Sequence, residues 1–74
     1  MTALTWTAYA RNDGVCVWIA KHGIWTLRST VWQSGPGWYI VAGASDRFIT
    51  SGEAASVDDG REQAETWLRN KGCL

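Results

Sequence analysis

Apolar and polar positions alternate through the first third of the chain. From Leu4 to Ala10, Trp6, Ala8 and Ala10 fall on one side and Thr5, Thr7 and Tyr9 on the other. This period of two marks a strand with one buried face. Asn12-Asp13-Gly14 carries turn chemistry, because Asn and Gly tolerate the positive φ of a hairpin. Val15–Ala20 alternates again, Lys21-His22-Gly23 marks a second turn, and Ile24–Val31 reads as a third strand.

Loop length decides which side chains share a face. A first turn of two or four residues sets Trp6, Ala8 and Ala10 beside Val15, Val17 and Ile19. At the second turn, a His22-Gly23 loop pairs Val17 with Arg28 and drives charge into the core. A three-residue Lys21-His22-Gly23 loop pairs Ile19 with Trp25 and Val17 with Leu27, and sets Gly23 where a type I turn with a bulge needs a left-handed residue. A slip of one residue inverts a strand, so the three-residue loop is expected. The core face is then Trp6, Ala8, Ala10, Val15, Val17, Ile19, Trp25, Leu27 and Val31. The opposite face is Thr5, Thr7, Tyr9, Cys16, Trp18, Ala20, Ile24, Thr26, Arg28 and Thr30.

Beyond Val31, Gln33–Gly37 reads as a connector holding the only proline. Trp38–Ala42 is a fourth strand, apolar on both sides, and Arg47–Thr50 a short fifth, with an extension towards Ala54 as the longer alternative. Two segments fit a capping box, Thr50–Glu53 and Ser56–Asp59. Ser56 is preferred, because Asp58 and Asp59 then fill the first helical turn and Arg69 and Lys71 the last, as the helix dipole favours. Gly72 supplies the stop. Over about 57–71, Val57, Gly60, Ala64, Trp67 and Leu68 form one apolar stripe. Arg61, Glu62, Glu65 and Arg69 face water, with Arg61–Glu65 and Glu65–Arg69 as i,i+4 pairs. The expected fold is α+β: one domain over 1–74, an antiparallel meander of four to five strands (about 4–10, 15–20, 24–31, 38–42 and 47–50) packed on one C-terminal helix.

Composition sharpens this picture. Seventy-four residues make a marginal core, burying about 60% of the unfolded surface. Six tryptophans compensate, since each indole buries roughly 200 Å². Six exceed what one small core encloses, so at least one is expected at the surface. Seven basic and seven acidic residues cancel, which weighs against a dedicated polyanion binder. Residues 1–52 carry +2 and residues 53–74 carry −2. Met1–Ala10 lacks the basic start and apolar run of a leader, and no stretch reaches the ~18 apolar residues of a membrane span. Cys16 and Cys73 form no spaced framework. A cytoplasmic setting with reduced thiols is expected, a Cys16–Cys73 bridge being the alternative.

Gly37-Trp38-Tyr39-Ile40-Val41, then Phe48–Ala54, then Ser56-Val57-Asp58-Asp59-Gly60 continuing to Leu68, resemble the ending of many small uncharacterised phage and prophage proteins. Those run a Trp-bearing strand, a short strand, and a helix opening with Ser and two acids. Gly60 stands where such helices usually carry alanine. The resemblance covers about half the chain and implies an accessory protein of a mobile element, of a class that often binds host components, including as inhibitors of host defences.

Catalytic readings are thin. His22 is the only histidine and lies in a turn without a partner cluster. Asp58, Asp59 and Glu62 serve a helix start. Cys16 sits mid-strand as a small hydrophobe, and two cysteines with one histidine make no zinc spacing. Gly35-Pro36-Gly37 is no phosphate loop. Neither an enzyme nor a cofactor is expected. One helix covers one sheet face, which leaves Trp18, flanked by Tyr9, Thr26, Ile24 and Arg28, as a contact patch for a host protein or for self-association as a homodimer. A plain solvated sheet face is the bland reading of the same residues. The competing reading is a three-stranded sheet in the DNA major groove through Arg11, Arg28, Trp18, Thr7 and Thr26, against which the missing positive charge counts. No membrane partner is expected.

Overall fold

The computed structural model describes residues 4–73 of the expected single domain. Five strands form one antiparallel sheet in chain order: β1 (Thr7–Ala10), β2 (Cys16–His22), β3 (Trp25–Trp32), β4 (Gly35–Ala42) and β5 (Arg47–Glu53). A single helix, α1 (Val57–Asn70), packs over β3 and β4. The α+β meander expected from the sequence is the fold observed. No helix among the described residues is long and apolar enough to cross a membrane.

Both ends of α1 follow from local chemistry. Ser56 is the N-cap, its Oγ accepting the Asp59 N–H at 3.1 Å, while Asp59 Oδ2 reaches back to accept the Ala55 N–H at 2.9 Å. Reciprocal capping of this kind satisfies helix-start donors that otherwise lack partners. At the far end Gly72 takes φ +81°. The Cys73 N–H donates to the Leu68 carbonyl and the Gly72 N–H to that of Arg69, the paired bonds of a Schellman stop. Leu27, Trp38, Ile40, Ala64 and Leu68 form the buried core, ringed by Trp6, Trp25, Ile49 and Trp67. Trp25 meets Trp67 edge to face, with ring centroids 5.8 Å apart.

The register of β2 differs from expectation. Arg11 donates to the Val15 carbonyl and Gly14 takes φ +84°, so Asn12-Asp13-Gly14 is the three-residue loop with a glycine bulge. The second hairpin closes on His22 opposite Trp25, leaving only Gly23-Ile24 between them. Gly23, at φ +60°, occupies the first central position, as a type II′ turn requires. Both loop lengths are thus exchanged relative to the sequence reading, and β2 alone is inverted. Ala8 faces Trp18 and Trp18 faces Ser29, while Ile19 faces Arg28. Ser29 is fully buried and donates to the Val57 carbonyl of α1, so Trp18 and Ala20 lie on the helix side. Val17 and Ile19 lie on the opposite face, with Arg28. The inversion follows from the two loop lengths; it buries Ala20 and sets the Trp18 ring against the Arg61 guanidinium of α1, and no charge enters the buried core.

Two further boundaries move. β4 begins at Gly35, reducing the expected connector to the two-residue loop Gln33-Ser34. Pro36 is tolerated inside the sheet because the position its missing N–H would serve lies opposite Ala54, beyond the end of β5. Its carbonyl still accepts the Ala54 N–H. β5 runs to Glu53, and a bulge between Ile40 and Val41 in its pairing with β4 leaves Ile49 as the extra residue, packed against the core.

Candidate functional site on the open sheet face

One face of the sheet carries α1, and among the described residues the other carries no element. Strand pairing sets out its side chains in rows. One row is Thr7, Ile19, Arg28, Tyr39 and Ser51; a second is Lys21, Thr26, Val41 and Phe48; a third holds Tyr9, Val17, Thr30, Gly37 and Glu53. Trp32 continues the β3 alternation beyond Thr30. Tyr9, Trp32 and Phe48 keep 54%, 41% and 62% of their surface exposed, and they stand around the Arg28–Tyr39 pair.

Cations and rings alternate across this face. The Arg11 guanidinium sits 5.7 Å from the centre of the Trp32 ring, Trp32 lies 5.8 Å from Tyr39, and Arg28 lies 5.6 Å from the Tyr39 ring while donating to its hydroxyl at 2.8 Å. Each contact of this kind is worth about 0.5–1 kcal/mol at an exposed site. Gly37 makes the ladder possible: a Cβ there would stand 3.2 Å from the Trp32 indole nitrogen, so the ring rests on bare backbone. Each arginine also has a carboxylate. Asp13 accepts two bonds from Arg11, at 2.6 and 3.2 Å, and Asp46 stands 4.0 Å from Arg28. The Arg11 bonds, with the Val15 N–H, hold the Asp13 carboxyl down at about 2. The Arg28 Nε is buried without a partner; the planar fork is thereby committed through its terminal nitrogens.

Of the residues expected to form a contact patch, Tyr9, Thr26 and Arg28 share this face. Trp18 does not. It lies on the helix side with the Arg61 guanidinium 4.4 Å from its ring centre, and the inverted register of β2 is the reason. Arg61 accordingly pairs with Asp58 rather than Glu65, and it does not simply face water. Glu65 is also occupied, accepting the Trp6 indole N–H at 2.5 Å and standing 4.0 Å from Arg69. Ile24 projects from the β2–β3 turn at the rim of the sheet, 64% exposed. The set considered for DNA contact loses Trp18 for the same reason, while Arg11, Arg28, Thr7 and Thr26 remain together. Sequence reasoning missed Trp32, Tyr39 and Phe48. Trp32 has the parity of Arg28 and was lost by ending β3 one residue early; Tyr39 and Phe48 sit on strands whose two sides are alike in polarity.

A second concavity, about 360 Å³, runs beside α1 and is lined by Trp38, Asp59, Glu62, Gln63, Thr66 and Trp67, with Asn70 at one end. Two of its polar groups are tied together: Gln63 accepts the Trp38 indole N–H and donates to Asp59. The Ala55 N–H and Gln63 hold the Asp59 carboxyl below its ordinary range. Cys16 and Cys73 are free thiols, and His22 ends β2 opposite Trp25. Among the described residues, no group of three or more His, Cys, Asp or Glu is placed to hold a metal ion. No family model, curated protein or solved structure gives a significant match to this chain.

Proposed function

We propose that this chain is a non-enzymatic binding protein whose open sheet face docks onto a protein surface. The observation that carries the reading is the arrangement of that face. Tyr9, Trp32 and Phe48 are exposed around a central Ile19–Arg28–Tyr39 row, while Lys21, Glu53, Asp13 and Asp46 stand at its margins. Aromatic residues and arginine at the centre with charge at the rim is the anatomy of a protein interface. The pairing of Arg11 and Arg28 with carboxylates counts against a polyanion, whose affinity rests on unpaired positive charge. An accessory role toward a host protein, of the kind the C-terminal resemblance implies, is the setting in which we place this activity.

Capture on the immobilised full chain, from host extract supplemented with the free chain, tests it. A specific protein, a second copy of the chain included, should be retained by the native sequence and by Thr66→Arg on the helix side. It should be lost with Trp32→Ala and with Phe48→Asp. Retention indifferent to the open-face changes, release by nuclease, or failure to hold any protein would overturn the reading.

A further inference from the structure

The open face is large enough, and carries enough charge of both signs, to be covered by another copy of itself. Five strands at about 4.8 Å spacing and about seven residues at 3.4 Å rise give a face of roughly 25 × 25 Å. Two such faces in contact remove about 1,200 Å² from water, which clears the ~1,000 Å² of a specific interface. The formal charges on and around the face, from Arg11, Lys21 and Arg28 against Asp13, Asp46 and Glu53, sum to zero. This suits a two-fold interface, in which the patch faces a copy of itself and a net charge would repel.

Two charges of the open face have no ion-pair partner among the described residues, and their placement fixes the arrangement further. Lys21 and Glu53 are both exposed and appear in none of the ion pairs among the described residues. Lys21 lies on β2 in the row of Thr26 and Val41, and Glu53 on β5 in the row of Thr30 and Gly37. The line joining them crosses three strand spacings and four residues of rise, about 14 Å each way, so it runs near 45° to the strands. A two-fold axis lying in the face and perpendicular to that line brings each Lys21 over the other copy's Glu53. It also crosses the two sets of strands at about 90°, one of the two ways in which sheets pack face to face.

We infer that the occupant of the open face is a second copy of this chain, docked about that diagonal two-fold axis with Lys21 of one copy against Glu53 of the other. This rests on the reading of the face as a protein-docking surface and names its partner. The Ile19–Arg28–Tyr39 row then meets its copy at the centre, the exposed rings of Trp32 and Phe48 pack beside it, and the reciprocal ion pairs close two opposite corners.

Sedimentation velocity on the full chain from about 1 μM to 1 mM tests the inference, with circular dichroism confirming that each variant is folded. The sedimenting mass should rise from 8.2 kDa to twice that value, and Phe48→Asp should abolish the rise. Lys21→Glu and Glu53→Lys should each weaken the dimer by tenfold or more. The double exchange, which rebuilds the pair with its charges reversed, should recover to within about threefold of the native Kd. A monomer at every concentration overturns the inference, as does a dimer indifferent to Lys21→Glu and Glu53→Lys, or a double exchange no better than the single ones. If the chain is monomeric while extract capture still depends on Trp32 and Phe48, the face reading stands and only the identity of its occupant fails. If capture is also indifferent to those residues, both fail.

Discussion

Ser29 and Gly60 mark the point of closest approach between sheet and helix: a methyl group placed on Gly60 would stand 2.5 Å from the Ser29 Oγ. That hydroxyl donates to the Val57 carbonyl at 2.9 Å, so it cannot turn away without losing its bond. Glycine normally costs a helix interior about 1 kcal/mol relative to alanine. Here the cost is offset by the depth at which α1 can settle, with Leu68 and Ala64 fully buried.

Gly60→Ala should therefore destabilise the fold despite the gain in helix propensity, by about 1–2 kcal/mol, as overpacked sites do. Ser29→Ala removes the opposing oxygen at the cost of one hydrogen bond, about 1 kcal/mol. The double variant should be more stable than the sum of the two single losses. Urea denaturation of the four proteins checks this; losses that simply add would show that the two residues do not press on one another.

Gly52 holds a stricter position. The Trp38 ring lies across it on the helix side of the sheet, and a Cβ there would meet three ring atoms at 2.8–2.9 Å. The indole is 7% exposed and its N–H is bonded to Gln63 at 3.1 Å, so the ring cannot shift without breaking that bond. Gly52→Ala should cost about 3 kcal/mol, more than Gly60→Ala. It should also shift the Trp38 indole N–H resonance as the bond to Gln63 breaks. An unperturbed resonance with native stability would mean that the ring yields freely.

Much of this architecture is legible from residue types alone. The faces of β1 and β3, the Ser56 cap and the Gly72 stop follow from alternation and local hydrogen-bond chemistry, and all are present. β2 is not legible in the same way. Cys16, Trp18 and Ala20 on one side and Val15, Val17 and Ile19 on the other are both apolar, so only the turns can choose between them. Asn12-Asp13-Gly14 and His22-Gly23-Ile24 each admit a two-residue or a three-residue loop. Tertiary packing decides, and it sets Trp18 on the helix side against Arg61 of α1. The site was displaced by that choice: an open aromatic face is correctly implied by having one helix for one sheet, but its tryptophan is Trp32 and not Trp18.

Asp13 supplies a prediction in pH. Its carboxyl is held at about 2, first by the bonds from Arg11 and then by the Val15 N–H. Its folded value therefore lies below the ordinary carboxylate value of about 3.9. A depressed value means that the stabilisation is complete above about pH 4 and is lost as pH falls through about 2. A side-chain carbonyl carbon titration should give a midpoint near 2 for Asp13, and Arg11→Gln should return it toward 3.9. A midpoint of 3.9 in the native chain would show that Arg11 is not held by this carboxylate.

Trp18 and Trp32 lie on opposite faces, and exchanging each for alanine should separate structure from recognition. Trp18 pairs with Ser29 in the sheet and carries the Arg61 guanidinium on its ring. Trp18→Ala thus opens a gap beneath the helix and strands a cation that had been packed. With the ring only half buried, the loss should be about 2 kcal/mol, below the 3–5 kcal/mol of a fully buried tryptophan. The open face should keep its binding. Trp32 is 41% exposed and rests on Gly37 with Arg11 and Tyr39 beside it. Trp32→Ala should cost about 1 kcal/mol of stability and remove most of the affinity for whatever the face holds. Thermal or urea unfolding measures the first quantity for each variant, and sedimentation or capture the second. The reverse outcome, with Trp18→Ala harmless to the fold but fatal to binding, would place Trp18 on the open face and refute the register of β2.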